Sequence, residues 1–419
     1  MTSAISSIAT NLFTYNALDL VSETQNGIAL SRTTDGLGRP TGYHLSYASY
    51  MPHSVAYSYD GLGRFESITS SAESAPSAVT YSYVYLPNTD LLSGMTTSTG
   101  HAWSRTYEPH RDLIASVSNT WNGTPGSAFD YQNDALGRRT MRTDTLATAL
   151  PIQNLFGYNT RSEVTSALMG TNNYTYTFDP IGNRLTVANN GIGTAYLTNP
   201  LNQYTNIVKS VAVQPCYDLD GNTMATGDGW HYMWNGENRL ITASNDTLQV
   251  AYAYDHRGRM MWKQFSTNSV VTTTRTYLWD GFNIIQETIE KQQSSITNHY
   301  VCGLDLSGTL QGAGGVSGLL AVYSSDPLGE NQSEGSMALP CYDANGNITE
   351  YTTTNGTIVA HYEYSPFGEI VTQSGDLANS FTHRFSTKPW CPITVLNEYE
   401  LRMYNPEMGR WLHRDPIGD

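Results

Sequence analysis

Charge, cysteine and long apolar runs are all scarce in this chain of 419 residues. Charged residues make up 14% of it, against roughly 25% in an average soluble domain. The balance is acidic, with 22 Lys and Arg against 37 Asp and Glu and a net charge of −15. A phosphate-backbone binder needs a basic face, so no nucleic acid partner is expected. The four cysteines, Cys216, Cys302, Cys341 and Cys391, lie far apart with no C-x-x-C pair. A disulfide framework or zinc site would bring such residues close in sequence, and free thiols are the reading. No stretch approaches the roughly 18 apolar residues of a membrane span, so none is expected. The opening MTSAISSIATNLFTYNALDL has no basic segment followed by an apolar one, and no Sec leader is read from it. Synthesis in a cytoplasm is expected, with secretion or surface display by a non-Sec route left open. The ten histidines show no HExxH or paired spacing, so neither a metal nor a cofactor is expected.

What the chain has instead is 29 tyrosines, 36 glycines and many Thr, Ser and Asn. With aromatics at 11% it is no disordered acidic tail, and the enrichment in Tyr and Thr over helix formers points to an all-β protein. An aromatic–Asp–x–x–Gly phrase recurs from end to end. It reads Tyr59-Asp60-Gly61-Leu62-Gly63, Phe178-Asp179-Pro180-Ile181-Gly182, Tyr217-Asp218-Leu219-Asp220-Gly221, Tyr254-Asp255-His256-Arg257-Gly258 and Tyr342-Asp343-Ala344-Asn345-Gly346. With looser copies anchored at residues such as Tyr131, Tyr204 and Tyr300, most spacings fall between 20 and 27 residues. Period-two runs such as Tyr174-Thr175-Tyr176-Thr177-Phe178 precede the turns and mark two-faced strands. Asp followed by Gly supplies the turn itself. Each unit is then a hairpin, and about thirty strands would span on the order of 140 Å at the usual strand spacing. So wide a sheet must curl. Cross-strand aromatic pairs and neighbour stacking, rather than one central core, are expected to stabilise it.

The Tyr-Asp-x-x-Gly-Arg/Asn phrase at this period resembles the YD repeat of the Rhs family, which includes polymorphic-toxin proteins, the cocoon subunits of insecticidal toxin complexes and, more remotely, teneurins. Two longer phrases sharpen the resemblance: Tyr300 to Gly315, with its glycine-rich end, and Arg402-Met403-Tyr404-Asn405-Pro406 through Trp411 to Gly418, which is similar to the Rhs-associated core signature. The resemblance implies YD-repeat hairpins joined into a coiled ribbon that forms a hollow shell or partial shell. It divides the chain into repeats at 1–375 and a core-associated C-terminal segment at 376–419. The implied role is encapsulation or presentation of a polypeptide or toxin cargo, with secretion-system components as further partners.

In the family the cargo is a C-terminal toxin, released by self-cleavage after an Asp-Pro-x-Gly-Leu phrase. Here Asp415, Pro416, Ile417 and Gly418 match that phrase, and Asp419 replaces the Leu; as nothing follows it no toxin is expected, and as repeat-like text is present almost from the first residue no plug or targeting domain is expected. The family's cleavage resembles aspartyl-protease chemistry, in which one carboxylate activates and a protonated partner donates. Phe385-Ser386-Thr387-Lys388, Thr394, Leu396, Arg402 and Tyr404 keep the register of related cores, but Cys391 stands where the first Asp would sit, Asn405 where the second would, and Val395 where a Gly would. The expectation is a non-enzymatic scaffold that has lost autoproteolysis. Glu398 or Glu400 would be the compensating acid if a residual protease survives. An adhesion module that stacks surface glycans or partner proteins on its aromatics is the other alternative. The stretch Gly312 to Gly318 lacks the βαβ setting of a phosphate loop, and Asp218 and Asp343 open turns without the glycine and acid of a calcium loop.

Overall fold

A computed structural model describes residues 2–6, 9–46, 53–72, 77–147, 149–326 and 336–416. Its strands pair antiparallel with their neighbours in sequence. They form a 20-stranded sheet from Ser3–Ile5 to Ala212–Val213 and a 14-stranded sheet from Cys216–Tyr217 to Ile370–Ser374. The pairing lapses between them at Gln214-Pro215, where Pro215 has no N–H to give. Three short strands, Asn397–Glu398, Met403–Asn405 and Arg410–Trp411, follow in the C-terminal segment. Among the described residues the only helical element is a 3-10 turn at Phe385–Thr387.

The two sheets differ in how they are covered. In the first, alternation decides burial: in Val79–Tyr85, the side chains of Val79, Tyr81 and Tyr83 are buried while their neighbours face outward, the period-two pattern of a sheet with one wet face. In the second, Leu319–Ser324 and Ile348–Thr353 are buried at every position. One face, carrying Ala321, Tyr323 and Leu339, packs on Leu45, Ile68 and Tyr81 of the first sheet. The other, carrying Val322, Tyr351 and Tyr362, packs on Ala378 and Phe381 of the C-terminal segment.

The contacts between sheets advance along both in the same sense. Asn11 meets Asp255, Gln25 meets Trp279, Ser70 meets Tyr323 and Ser127 meets Glu350, each more than 220 residues away in sequence. That is the geometry of a spiral closing inward: the first sheet is an outer turn, the second an inner turn, and the C-terminal segment fills the middle. A buried core therefore does exist, between the turns, contrary to the expectation that local stacking alone would suffice. Rolling covers apolar faces that an open ribbon would leave wet. The cavities left between layers are small, about 540, 430, 320 and 60 Å³.

Candidate functional site

The repeated turn is built the same way at each copy. Asp60 Oδ1 accepts from the amides of Leu62 and Arg64, both at 2.9 Å, and its Oδ2 accepts from Arg64 Nε at 2.8 Å. Asp179, Asp218 and Asp343 hold the second and fourth amides after them in the same way, with Asn183, Asn222 and Asn347 in the place of the arginine. Asp255 repeats the pattern with Arg257 and Arg259. The carboxylates of Asp218 and Asp343 are thus engaged with their own turns. The glycine is there for its backbone: Gly63, Gly182, Gly221, Gly258 and Gly346 have φ between 73° and 95°, which glycine adopts without strain. Asn202 and Asn238 take that place in two other copies, at 60° and 58°.

The aromatic has a role that its spacing did not disclose. It sits at a β-bulge, as register shifts at Ser58/Tyr59, Ala253/Tyr254 and Cys341/Tyr342 show. Its polar tip bonds to the carbonyl at the preceding hairpin's bulge. Tyr59 Oη donates to Pro40 at 2.7 Å, Tyr85 to Phe65 at 2.8 Å, Tyr254 to Leu240 at 2.8 Å and Tyr364 to Ile348 at 2.7 Å. Trp234 and Trp279 do the same through Nε1. A bulge leaves ladder groups unpaired, and the next aromatic satisfies them, so each hairpin is stitched to the one before. The turn arginine caps the stitch, with Arg64 lying 4.1 Å from the Tyr85 ring centroid, a cation–π distance. Three anchors read from sequence fall off this frame. The bulges lie at Gln132/Asn133, Leu197/Thr198 and Val301/Cys302 rather than at Tyr131, Tyr204 and Tyr300.

Where the turns of the spiral meet, side-chain amides stand in for a missing strand. Gln25 donates to the Trp279 carbonyl at 2.6 Å and accepts from its amide at 3.0 Å. Asn119 does both with Tyr342, at 3.1 and 3.3 Å. Arg259, fully buried, binds Glu23 of the outer turn at 2.6 Å and its own Asp255 at 2.7 Å.

The C-terminal segment holds the positions read as degenerate. Cys391 is fully buried among Leu396, Met403 and Leu412, with its amide donating to Leu396 at 2.9 Å. Asn405 Oδ1 accepts from the Met408 amide at 2.9 Å, closing a turn. Val395 has φ of 59°, an outlier for a β-branched residue. Glu398 is buried against Lys263, 2.6 Å away, and its Oε1 has no partner. Glu400 pairs with Lys388, which also donates to the Gly314 carbonyl. Each acid is thus bonded to a lysine of its own, and both border the 60 Å³ cavity together with His383 and Cys302. Burial pushes the His383 imidazole down to about 4. Nearby, burial would raise Glu287, but the charges of Arg275 and Lys263 and the Tyr300 hydroxyl, 2.8 Å away, overcome this and hold it at about 2. Asp415 pairs with Arg402 at 2.9 Å, and Pro416 borders the 430 Å³ cavity with Glu400 and Arg239. Ile417 and Gly418 lie outside the described residues.

The glycine-rich stretch joins two strands, Ser294–Cys302 and Leu319–Ser324. Buried Asp305 organises it, accepting from the amides of Ser307, Ala313 and Gly315. Among the described residues no cluster of three or more His, Cys, Asp or Glu is placed to hold a metal, and no helix is long and apolar enough to cross a membrane.

Sequence reading passed over Glu23, Asn119, Lys263 and Glu287. A signal existed for two of them. Met261, Lys263 and Phe265 share one buried face, as do Ile285, Glu287 and Ile289, so each charge occupies an apolar phase of its strand.

A stitched, spiralling hairpin ribbon with Asp-capped turns defines the class: a YD-type β-shell protein. Residues 139–273 match the family model of the teneurin YD-shell, and residues 342–376 match that of the RHS repeat. Over 252 residues, 58% of the chain, it is 26% identical to the tRNA nuclease WapA of Bacillus subtilis (strain 168), and it covers 9% of that protein. It is 22% identical over 234 residues to the double-stranded DNA deaminase toxin A of Burkholderia cenocepacia (strain H111), matching 48% of this chain and 15% of that one. The crystal structure of TcdB2-TccC3-Cdc42 superposes on 99% of the chain with a TM-score of 0.64 at 17% identity, over 20% of its own length. TcdB2-TccC3 without its hypervariable C-terminal region does so at 0.61 and 18%, again over 20% of its length. The chain thus carries teneurin-type YD-shell and RHS repeats, and it spans a fifth or less of these relatives.

Proposed function

We propose that the chain is a non-enzymatic wall and internal plug of a Rhs-type shell, which presents a polypeptide cargo of a toxin system delivered by a non-Sec route. The observation that carries this is the second sheet lying over the first along its length, from Gln25 on Trp279 to Ser127 on Glu350, with the segment after residue 375 packed inside the inner turn. Cavities of at most about 540 Å³ among those described are far smaller than a folded domain, whose radius of gyration is about 13 Å for 100 residues. Cargo is therefore displayed from the Asp415-Pro416 pocket rather than stored between these layers. The placement of Cys391 and Asn405 supports loss of autoproteolysis, because a buried thiol and a turn-closing amide do not make a carboxylate pair that shares a proton. The internal bonding of the aromatics speaks for stitching over glycan stacking. A reporter polypeptide fused after Asp419 tests the reading. A single uncleaved mass, with the reporter digested by trypsin while the ribbon resists, is expected. Protection of the reporter would overturn presentation in favour of enclosure.

One observation favours a second reading, residual self-processing: the unpartnered Oε1 of buried Glu398 lies beside the cavity that Glu400 borders. If the fusion is nicked near Asp415 and the Glu398→Gln variant is not, that reading stands and the scaffold is also a processing enzyme.

A further inference from the structure

Side chains four residues apart close the Asp- and Asn-capped turns of the repeat, and the pairs join an acceptor to a donor. Where the closing residue is Arg, as at Asp60–Arg64 and Asp134–Arg138, the carboxylate accepts from Nε, at 2.8 and 2.7 Å. Where it is Asn, as at Asp179–Asn183, the carboxylate accepts from Nδ2 at 2.8 Å. Where the capping residue is itself Asn, the roles reverse: Asn159 donates to Glu163, and Asn199 to Gln203 at 2.8 Å.

Asn235 and Arg239 break this rule. Asn235 Oδ1 accepts from the amides of Glu237 and Arg239, at 3.0 and 2.9 Å. Its Nδ2, a donor, therefore stands where Asp60 and Asp134 present an oxygen, and it makes no bond to Arg239. The arginine keeps the forward bond of its kind, Nη1 to the Asp255 carbonyl at 3.1 Å, as Arg138 does to the Asn159 carbonyl at 3.0 Å. Only the bond back is missing, and the guanidinium pairs with exposed Glu237 at 3.0 Å instead.

The residue after this mismatched Asn is Gly236, whereas Asn159 and Asn199 precede β-branched Thr160 and Pro200, the latter with no N–H. Gly236 is exposed, its φ is not left-handed, and a Cβ built on it would meet nothing within 4 Å. The backbone does not require glycine there. What glycine supplies is an unshielded amide next to a carboxamide whose oxygen already holds two N–H donors. Those donors are placed to steady the negative charge that this oxygen takes on when a nucleophile adds to Asn235 Cγ.

We propose that Asn235 is a site of self-modification, converted to aspartate through a cyclic imide formed with Gly236. The Gly236 nitrogen gives its proton to water and bonds to Asn235 Cγ; the Cγ–Nδ2 bond breaks, and ammonia leaves. Water then opens the ring at the new Cγ–N bond. The sum is one water consumed and one ammonia released, with nothing oxidised or reduced. An aspartate at position 235 spells the same Asp-Gly-x-x-Arg phrase as Asp60 to Arg64, and its second oxygen accepts the missing bond from Arg239 Nε. Opening at the other carbonyl leaves isoaspartate, which lengthens the backbone inside a turn closed by the Asn235 amide on the Arg239 carbonyl at 3.0 Å. This chemistry does not depend on the cargo reading.

Peptide mapping of the full chain, held in mildly alkaline buffer at body temperature, tests it. The peptide spanning position 235 is expected to gain one dalton with time, and Gly236→Ala, which the turn accommodates, is expected to stop the gain. The Asn235→Asp variant should melt about 1 °C above the fresh chain, the worth of one part-exposed ion pair, and the aged chain should move towards it. Asn159→Asp, which sets a carboxylate against Glu163, should melt lower. An unchanged mass at position 235, an equal gain in Gly236→Ala, isoaspartate without aspartate, or an Asn235→Asp variant that melts no higher would overturn the proposal.

Discussion

Asp60–Arg64 and Asp255–Arg259 are the same turn in two surroundings. In the outer turn the pair is part-exposed and reaches no farther than the next hairpin, where Arg64 lies over the ring of Tyr85, donates to the Thr89 carbonyl and sits 3.8 Å from Asp90. In the inner turn the pair is buried, and the arginine reaches across to Glu23 of the layer outside while Asn11 of that layer donates to Asp255 at 3.0 Å. The local geometry is conserved; the energetic weight is not. A motif that begins as a turn former becomes a clamp between layers wherever the spiral brings a second sheet over it.

The contrast gives its largest effect in acid. His53 of the outer turn stacks on His299 of the inner turn at 4.9 Å, and His101 faces Cys341 at 3.6 Å. Burial lowers His53 to about 3 and His101 and His299 to about 4. These folded-state values lie below the unfolded value, so the stability they allow is complete above about pH 6.5 and is lost as pH falls towards 4. The loss is on the order of 5 kcal/mol or more for the three together. Urea melts at pH 7 and pH 4.5 should show it, and His53→Phe should flatten the dependence. An unaltered slope in that variant would mean that acid acts elsewhere.

Next comes the clamp itself. Arg259→Ala leaves buried Asp255 without a charged partner and buried Glu23 with only the longer Arg32 contact, at 3.4 Å, and should cost about 3–5 kcal/mol, whereas Arg64→Ala should cost below about 1 kcal/mol. Equal losses in chemical denaturation would erase the distinction between turns. Asn119→Ala strips the surrogate strand from the amide and carbonyl of Tyr342, a loss of roughly 2 kcal/mol. Asn119→Asp, which keeps only the acceptor, should not restore it. The smallest effects are expected from the stitches: Tyr59→Phe and Tyr254→Phe each remove one hydroxyl donor at about 1 kcal/mol. The Tyr254 variant should be the worse, because no water replaces the lost partner of the Leu240 carbonyl, Leu240 being buried.

Much of the outer turn was legible because its strands alternate and its turns are spelled out in Asp and Gly. The nesting was not. Ile348-Thr349-Glu350-Tyr351-Thr352-Thr353 reads as a half-wet strand, yet every residue is buried. Its polar groups find partners on other layers, Glu350 on Ser127 and Tyr351 on the His383 carbonyl. Composition does not distinguish polar groups solvated by water from polar groups satisfied by another turn 223 residues away. In the C-terminal segment Val395 takes a left-handed φ of 59°, a conformation that no side-chain preference of valine announces. The lysines that bind Glu398 and Glu400 could not be paired from spacing alone.

Small-angle X-ray scattering on the monomer tests the nested spiral most directly. A filled coil of 419 residues should have a radius of gyration of about 22 Å, the value for a compact chain of this length, and a single pair-distance maximum near half the longest dimension. The 34 strands of the two sheets laid as one single-walled ring would have a radius of about 26 Å at the usual strand spacing. A radius of gyration at or above that, with the maximum displaced to longer distances, would contradict the account.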